Sequence, residues 1–298
     1  MARGAFDVIG LGASTIDVIN LVDHFPDNEE VQEAQALVID GGGPISTAIV
    51  TLSRLGAKVA MLDAVGDDWW GGQIIHIYEM ESVCTDYVRI RGGSTSSIST
   101  ILVRRDDGAR TIIHKPGTAP TLTLEEVSRE VIASTRMLHL NGRHWDACIR
   151  AIKLAREEGV KISFDGGAHR FTERHRQLVP LTDICIVSRH YANQYTRISR
   201  PERAANALMA EGPDLVVITD GAMGSWVLQR GEEVFHQSAF PVQEVVDTTG
   251  AGDVYHGVFL FGLLHAFDLS YTASLASAAA AWNCQHLGGR KCARNRRK

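Results

Sequence analysis

Strand-forming and helix-forming runs alternate along nearly the whole chain. This rhythm predicts a three-layer α/β/α domain around a mostly parallel central sheet with right-handed crossovers. The continuous apolar run Leu215-Val216-Val217-Ile218 supports the parallel arrangement, because strands of this kind are covered on both faces. Two β-rich stretches, about 16–40 and 90–115, fall outside the rhythm and predict a small sheet set apart from the main layer. The 298 residues are 45% hydrophobic with a net charge of -5, which suits a single domain over 1–298 with a well-buried core. Mild acidity speaks against a general nucleic-acid binder, whose footprint is basic. Five cysteines, Cys84, Cys148, Cys185, Cys284 and Cys292, lie far apart without a Cys-x-x-Cys pair, so reduced thiols are expected. Neither a signal-peptide pattern nor an apolar run of spanning length is present, which predicts a cytoplasmic protein without a membrane partner.

Phe6 to Leu11 reads as the first strand, ending in Gly10-Leu11-Gly12. A dinucleotide fingerprint would need a third glycine where Thr15 stands and a helix where Ile16 to Val22 alternates like a strand, so that reading is disfavoured. Gly41-Gly42-Gly43-Pro44 opens an amphipathic helix that runs to Leu55 and stops at Gly56. Val59 to Val65 is a strand, and Gln73 to Met80 a helix. Ser94 to Ile113 alternates around Asp106-Asp107-Gly108, a hairpin pattern. Met137 to Leu140 is a strand ending in Asn141-Gly142-Arg143, and open α/β sheets place ligands at such strand ends. Ala147 to Glu158 is a helix, and Lys161 to Asp165 and Ile184 to Ser188 are strands. The apolar strand at 215–218 opens into Thr219-Asp220-Gly221-Ala222-Met223-Gly224. Helices follow from Asp253 to about Leu264 and from Ser270 to Cys284. The histidines, among them His139, His144, His169 and His175, show no zinc spacing and read as surface or strand-end residues.

The stretch with the most chemistry is Asp247-Thr248-Thr249-Gly250-Ala251-Gly252-Asp253, which follows an apolar, β-favouring lead-in from Phe240 to Val246. A glycine turn entering a helix leaves backbone N–H groups unpaired at the positive end of the helix dipole, a ready anion site. A carboxylate beside it can take a proton from a hydroxyl, so hole and base together are what phosphoryl transfer to an alcohol requires.

This string resembles the C-terminal signature of the ribokinase-like (PfkB) carbohydrate kinases. Gly41-Gly42-Gly43 with Arg54-Leu55-Gly56-Ala57 is similar to the family's N-terminal signature, and Val65-Gly66-Asp67-Asp68 is a further match. The resemblance implies an ATP-dependent kinase of a sugar or sugar derivative, with Asp253 as base and the Gly250, Ala251 and Gly252 amides as the anion hole. It implies sugar contacts at Asp17, Gly42 and Gly43, and nucleotide contacts at Ser188, Thr219, Gly221, Gly224 and Asn283. ATP and Mg2+ are implied cofactors, with a monovalent cation such as K+ beside them. The small sheet is implied to be a lid over the sugar, pairing between subunits as a homodimer.

Departures narrow the substrate. Gly43 and Ser46 stand where many members carry sugar-binding asparagines, and Gly-Gly-Gly-Pro looks more like the sulfofructose kinase branch. The 188–192 stretch resembles ketohexokinase-type members and lacks the usual magnesium-organising acids, so no metal ligand is assigned. Arg143, whose planar fork suits sulfonate, carboxylate or phosphate, favours an anionic acceptor, and His114 also faces the sugar in this reading. The substrate expected is a ketose or an anionic sugar such as a sulfosugar. A nucleoside kinase of the same fold and a non-catalytic sugar- or nucleotide-binding member stand as alternatives. The basic ending from Lys291 to Lys298 does not fit the family and reads as a frayed tail.

Overall fold

The computed structural model describes residues 4–291, so the tail beyond Lys291 and Cys292 lie outside the described residues. The first half of the chain holds β1 (Phe6–Leu11), β2 (Thr15–Val22), β3 (Ala36–Gly42), α1 (Pro44–Arg54), β4 (Val59–Gly66), α2 (Trp69–Met80) and β5 (Val88–Arg91). β6 (Ile98–Arg104), β7 (Arg110–Lys115), α3 (Arg129–Ala133), β8 (Thr135–Leu140), α4 (Trp145–Glu158) and β9 (Lys161–Gly166) come next. The remainder contributes β10 (Ile184–Ser188), α5 (Arg189–Thr196), α6 (Pro201–Glu211), β11 (Leu215–Thr219), β12 (Ser225–Gln229), β13 (Phe235–Gln237), α7 (Ala251–Leu264) and α8 (Leu269–Cys284).

Nine strands form the main sheet in the order β13-β12-β11-β10-β9-β8-β1-β4-β5. Every pairing from β11 to β5 is parallel, and β12 and β13 add an antiparallel edge. One apolar cluster lies on each face. The first gathers Leu138, Phe164 and Val187 against α4 to α6, and the second packs Val8, Met61 and Val217 against α1, α7 and α8. The glycines of β1 belong to this packing, because a Cβ at Gly10 or Gly12 would press into Ile45 and Ile49 of α1. They let a helix lie close, and no helix follows β1 to receive a dinucleotide.

A second sheet, β3-β2-β6-β7, is built from the two β-rich stretches that fall outside the α/β rhythm. It keeps a small core of Ile19, Ile101 and Val103, with Leu287 from the end of the described chain packed against it. Two elements differ from expectation. α2 begins at Trp69, four residues early, because Asp68 caps it by accepting the Gly71 amide at 2.9 Å. The lead-in at 240–246 forms no strand. Pro241 has no N–H to give a ladder, and the Val246 and Asp247 amides donate instead to the Cys284 carbonyl at the end of α8.

Candidate active site

The N-terminus of α7 is shaped by the chain around it. Gly250 caps the helix in the left-handed region (φ 70°) with the Gly289 backbone pressed against it, so a side chain there fails on both counts. Asp247 is fully buried and accepts the Thr249 amide at 2.8 Å and the Gly288 amide at 2.9 Å. Asn283, equally buried, donates to the Thr249 carbonyl and accepts the Lys291 amide, both at 2.9 Å. These bonds fix the loop from behind and leave its other side open. The Ala251 amide turns back on the Thr248 carbonyl at 3.4 Å, while those of Gly250, Gly252 and Asp253 meet no protein acceptor among the described residues. A Cβ added at Gly252 would point into open space.

Asp253 stands in the first turn with one side facing the cleft, and no hydrogen bond or ion pair holds its carboxyl among the described residues. Burial raises its pKa to about 7. Arg170 and Arg110 pull it down, and Asp165 and Asp17 push it up. Arg110, on β7, also donates to the Thr248 hydroxyl, and the β6–β7 turn at Gly108 rests against Val245 and Val246. The small sheet therefore touches the loop that carries Asp253.

Strand register builds the facing wall. Asp17 on β2 lies opposite Asp40 on β3 and Ser99 on β6, and Ser99 lies opposite His114 on β7. The Ser99 hydroxyl lies 3.2 Å from Nδ1 of His114, and its proximity helps to lower the Asp17 pKa. Burial raises the Asp17 pKa to about 6, against the lowering pull of Arg290. That buried arginine donates to the Thr47 hydroxyl at 3.1 Å, the Gly42 carbonyl at 3.0 Å and the Ser46 hydroxyl at 2.5 Å. The glycine run makes room for both groups. A Cβ at Gly41 would strike the Arg290 guanidinium, and one at Gly42 the Asp17 carboxylate. Gly43, at φ 93°, lies against the Ala13 carbonyl. His114 is pushed below its usual pKa by burial and by the positive charges of Arg143 and Arg170. Both arginines are exposed, and neither side chain pairs with an acid among the described residues.

On the other flank, Ser188 and Thr219 are register partners at the ends of β10 and β11. Ser188 caps α5 through the Tyr191 amide, and the Arg189–Asp220 pair at 2.8 Å spans the two strand ends. Gly221 (φ 51°) and Gly224 (φ 88°) shape the loop beyond, and Gly224 lies against the Gln237 carbonyl. Asn283 does not join this group. Its side chain is enclosed and both ends of its amide serve backbone, so it positions the loop instead of meeting a nucleotide. The histidine expectation is also corrected in part. His144 is buried, accepting the Leu122 amide at Nδ1 and holding Asp63 through Nε2 at 2.8 Å, and His139 and His175 are buried as well.

An open helix mouth with an unpaired carboxylate is the arrangement that the family resemblance requires. The model of the pfkB family carbohydrate kinases matches residues 6–296. The chain belongs to that family. It is a sugar kinase, and its substrate is a small-molecule sugar. A 5-dehydro-2-deoxygluconokinase of Shouchella clausii is 27% identical over 92% of this chain and 88% of its own length. Among solved structures, the adenosine kinase of Sinorhizobium meliloti superposes with a TM-score of 0.85 at 23% identity, covering 99% of this chain and 98% of that one. The ribokinase of Arabidopsis thaliana complexed with ribose and ATP gives 0.80 at 21% identity, covering 95% and 94%. These two likenesses establish the ribokinase-like α/β fold. Arg110, Arg170 and Arg290 had no signal in the sequence, since a lone arginine carries no pattern and each reaches the site only through tertiary placement. Among the described residues, no helix is long and apolar enough to cross a membrane.

Proposed function

We propose that this kinase transfers the γ-phosphoryl group of ATP to a hydroxyl of an anionic sugar derivative, with Asp253 as the base. The observation that carries the anionic part is Arg143 and Arg170, two exposed guanidiniums whose positive charge reaches His114 and which form no ion pair among the described residues, although Arg170 also acts on Asp253 and Asp165. An acceptor carboxylate or sulfonate would pair with these guanidiniums through charge-assisted hydrogen bonds. The name of the Shouchella clausii relative, which makes its substrate a gluconate, favours a carboxylate over the sulfosugar.

Asp17 and the 41–43 glycine turn hold the acceptor, and Asp253, ionised, takes the hydroxyl proton as the oxygen attacks the γ-phosphorus and the bond to the bridging oxygen breaks, releasing ADP. The open amides of Gly250, Gly252 and Asp253, with the clear space above Gly252, fit the migrating phosphoryl group and stabilise the charge that develops on it. Ser188, Thr219, Gly221 and Gly224 line the nucleotide side. Mg2+ carried by ATP would neutralise part of the phosphate charge, and no described residue is assigned as its ligand. The small sheet acts as a lid, tied to the catalytic loop through Arg110 and Thr248, and excludes water as a competing acceptor. Outward-facing Leu37, Ile39, Ile112 and Ile113 support its pairing with a second copy as a homodimer, which sedimentation would test.

An ATPase-coupled screen over gluconate-derived keto acids, sulfosugars, neutral ketoses and nucleosides tests the reading. A sugar acid is expected as the best acceptor. Arg143→Met and Arg170→Met should each raise KM for it about tenfold or more, a loss of about 1.4 kcal/mol or more, with KM for ATP little changed. A neutral ketose or nucleoside as best acceptor would overturn the anionic assignment, and no turnover with any class would favour a binding protein.

A further inference from the structure

We propose that His139, Asp165 and His256 form a binding site for one divalent transition-metal ion in the core beneath the catalytic helix mouth. The site is separate from Mg2+ carried by ATP. It comes from three elements that the sequence keeps far apart. His139 on β8 is the register partner of Ser163 on β9, so Asp165, two residues on, points to the same face of the sheet. α7 packs over that face and supplies His256, one turn after Asp253.

The three side chains are 0%, 3% and 5% exposed, and one ligand atom from each lies within 4.8 Å of the others. No hydrogen bond joins the three side chains to one another, and the charge that reaches Asp165 from outside the group comes chiefly from Arg170. Nε2 of His139 and Nδ1 of His256 have no hydrogen-bond partner, and the other His256 nitrogen is 3.9 Å from the Asp165 carboxylate, beyond hydrogen-bond reach. An orphaned buried polar atom costs about 1–3 kcal/mol, and the imidazole nitrogen that faces the buried Asp165 carboxylate without bonding it leaves room for a cation between them. The second shell is in place, for the Ser163 hydroxyl lies 3.1 Å from Nδ1 of His139 and fixes its ring. Burial also holds both imidazoles neutral, the form that ligates.

Two nitrogens and one carboxylate oxygen suit Zn2+, Co2+ or Ni2+, and not Mg2+ or Ca2+, which take oxygen shells. Bonds of about 2.0–2.2 Å place such ligands roughly 3.3 Å apart, so the three side chains need to draw in by about 1 Å or less. The set leaves one coordination position for water.

The test uses the full chain, stripped with a chelator and titrated with Co2+ and Zn2+. Visible d–d absorption from Co2+ and retention of about one Zn2+ per chain after dialysis against excess Mg2+ are expected. His139→Gln, Asp165→Asn and His256→Gln should each reduce retained Zn2+ at least about tenfold, whereas His169→Gln, at an exposed histidine, should not. A wild-type chain without the Co2+ bands and without retained Zn2+ overturns the proposal, as do core variants that bind like wild type. Should those variants fail to fold, X-ray absorption of the Zn2+-loaded wild type decides, since a spectrum without two imidazole ligands overturns the site.

Discussion

In the proposed reaction Asp253 has to be ionised, while its burial favours the protonated form. Replacing it with asparagine keeps the shape and removes the proton acceptor, so turnover should fall by roughly 10²–10⁴ while ATP binding, followed by calorimetry, persists. In the wild type, kcat/KM should rise with pH through about 7, where burial places the carboxyl against the opposing influence of Arg170 and Arg110. Stability should run the other way. The folded-state pKa exceeds the unfolded value of about 3.9, so the folded chain holds the proton more tightly, and stability contributed by this group falls as pH rises from about 4 to about 7. Asp253→Asn should therefore melt higher than wild type at pH ~8 and much like it at pH ~4. An unchanged pH–rate profile in a catalytically intact variant would remove Asp253 as the base. This carboxylate was legible in the sequence because Asp-Thr-Thr-Gly-Ala-Gly-Asp is contiguous. Arg170 and Arg290 were not, because their partners are assembled by folding.

Elements convert these residues into a site. The two glycines at the mouth of α7 look equivalent as letters, yet they do different work. Gly250 is required by φ and by the Gly289 backbone, whereas a methyl group on Gly252 meets only the cleft. Gly250→Ala should cost about 1–3 kcal/mol in chemical denaturation, the range for a strained backbone. Gly252→Ala should unfold like wild type and lose turnover by obstructing the phosphoryl position. Equal stability losses in the two variants would refute the distinction. The alternation of strands and helices was readable throughout, since periodicity is local. What escaped was the row Asp40–Asp17–Ser99–His114, which exists only once β3, β2, β6 and β7 adopt their register. The buried His139–Asp165–His256 group escaped for the same reason, having no short spacing to detect. Asn283 misled in the opposite sense. Its position in the chain suggested the nucleotide, while the fold turns it inward to hold a loop.

At the scale of the molecule, the two sheets are joined near the acceptor by a turn at the end of the described chain. Asp247 holds Gly288, Leu287 packs on the small sheet, Arg54 donates to the Arg290 carbonyl, and Arg290 lies beneath Asp17. Replacing Arg290 with methionine removes three buried charge-assisted donors and the cation that moderates Asp17. The loss should be on the order of 3 kcal/mol in denaturant unfolding, with KM for the acceptor raised more than KM for ATP. Stability equal to wild type would show the arginine to be a bystander. Because this turn is threaded under residues translated near the beginning, the surroundings of Asp17 are finished only when synthesis has passed position 290. A chain cut before Gly288 would still contain every strand of both sheets, yet Asp17 would lack the guanidinium that moderates it.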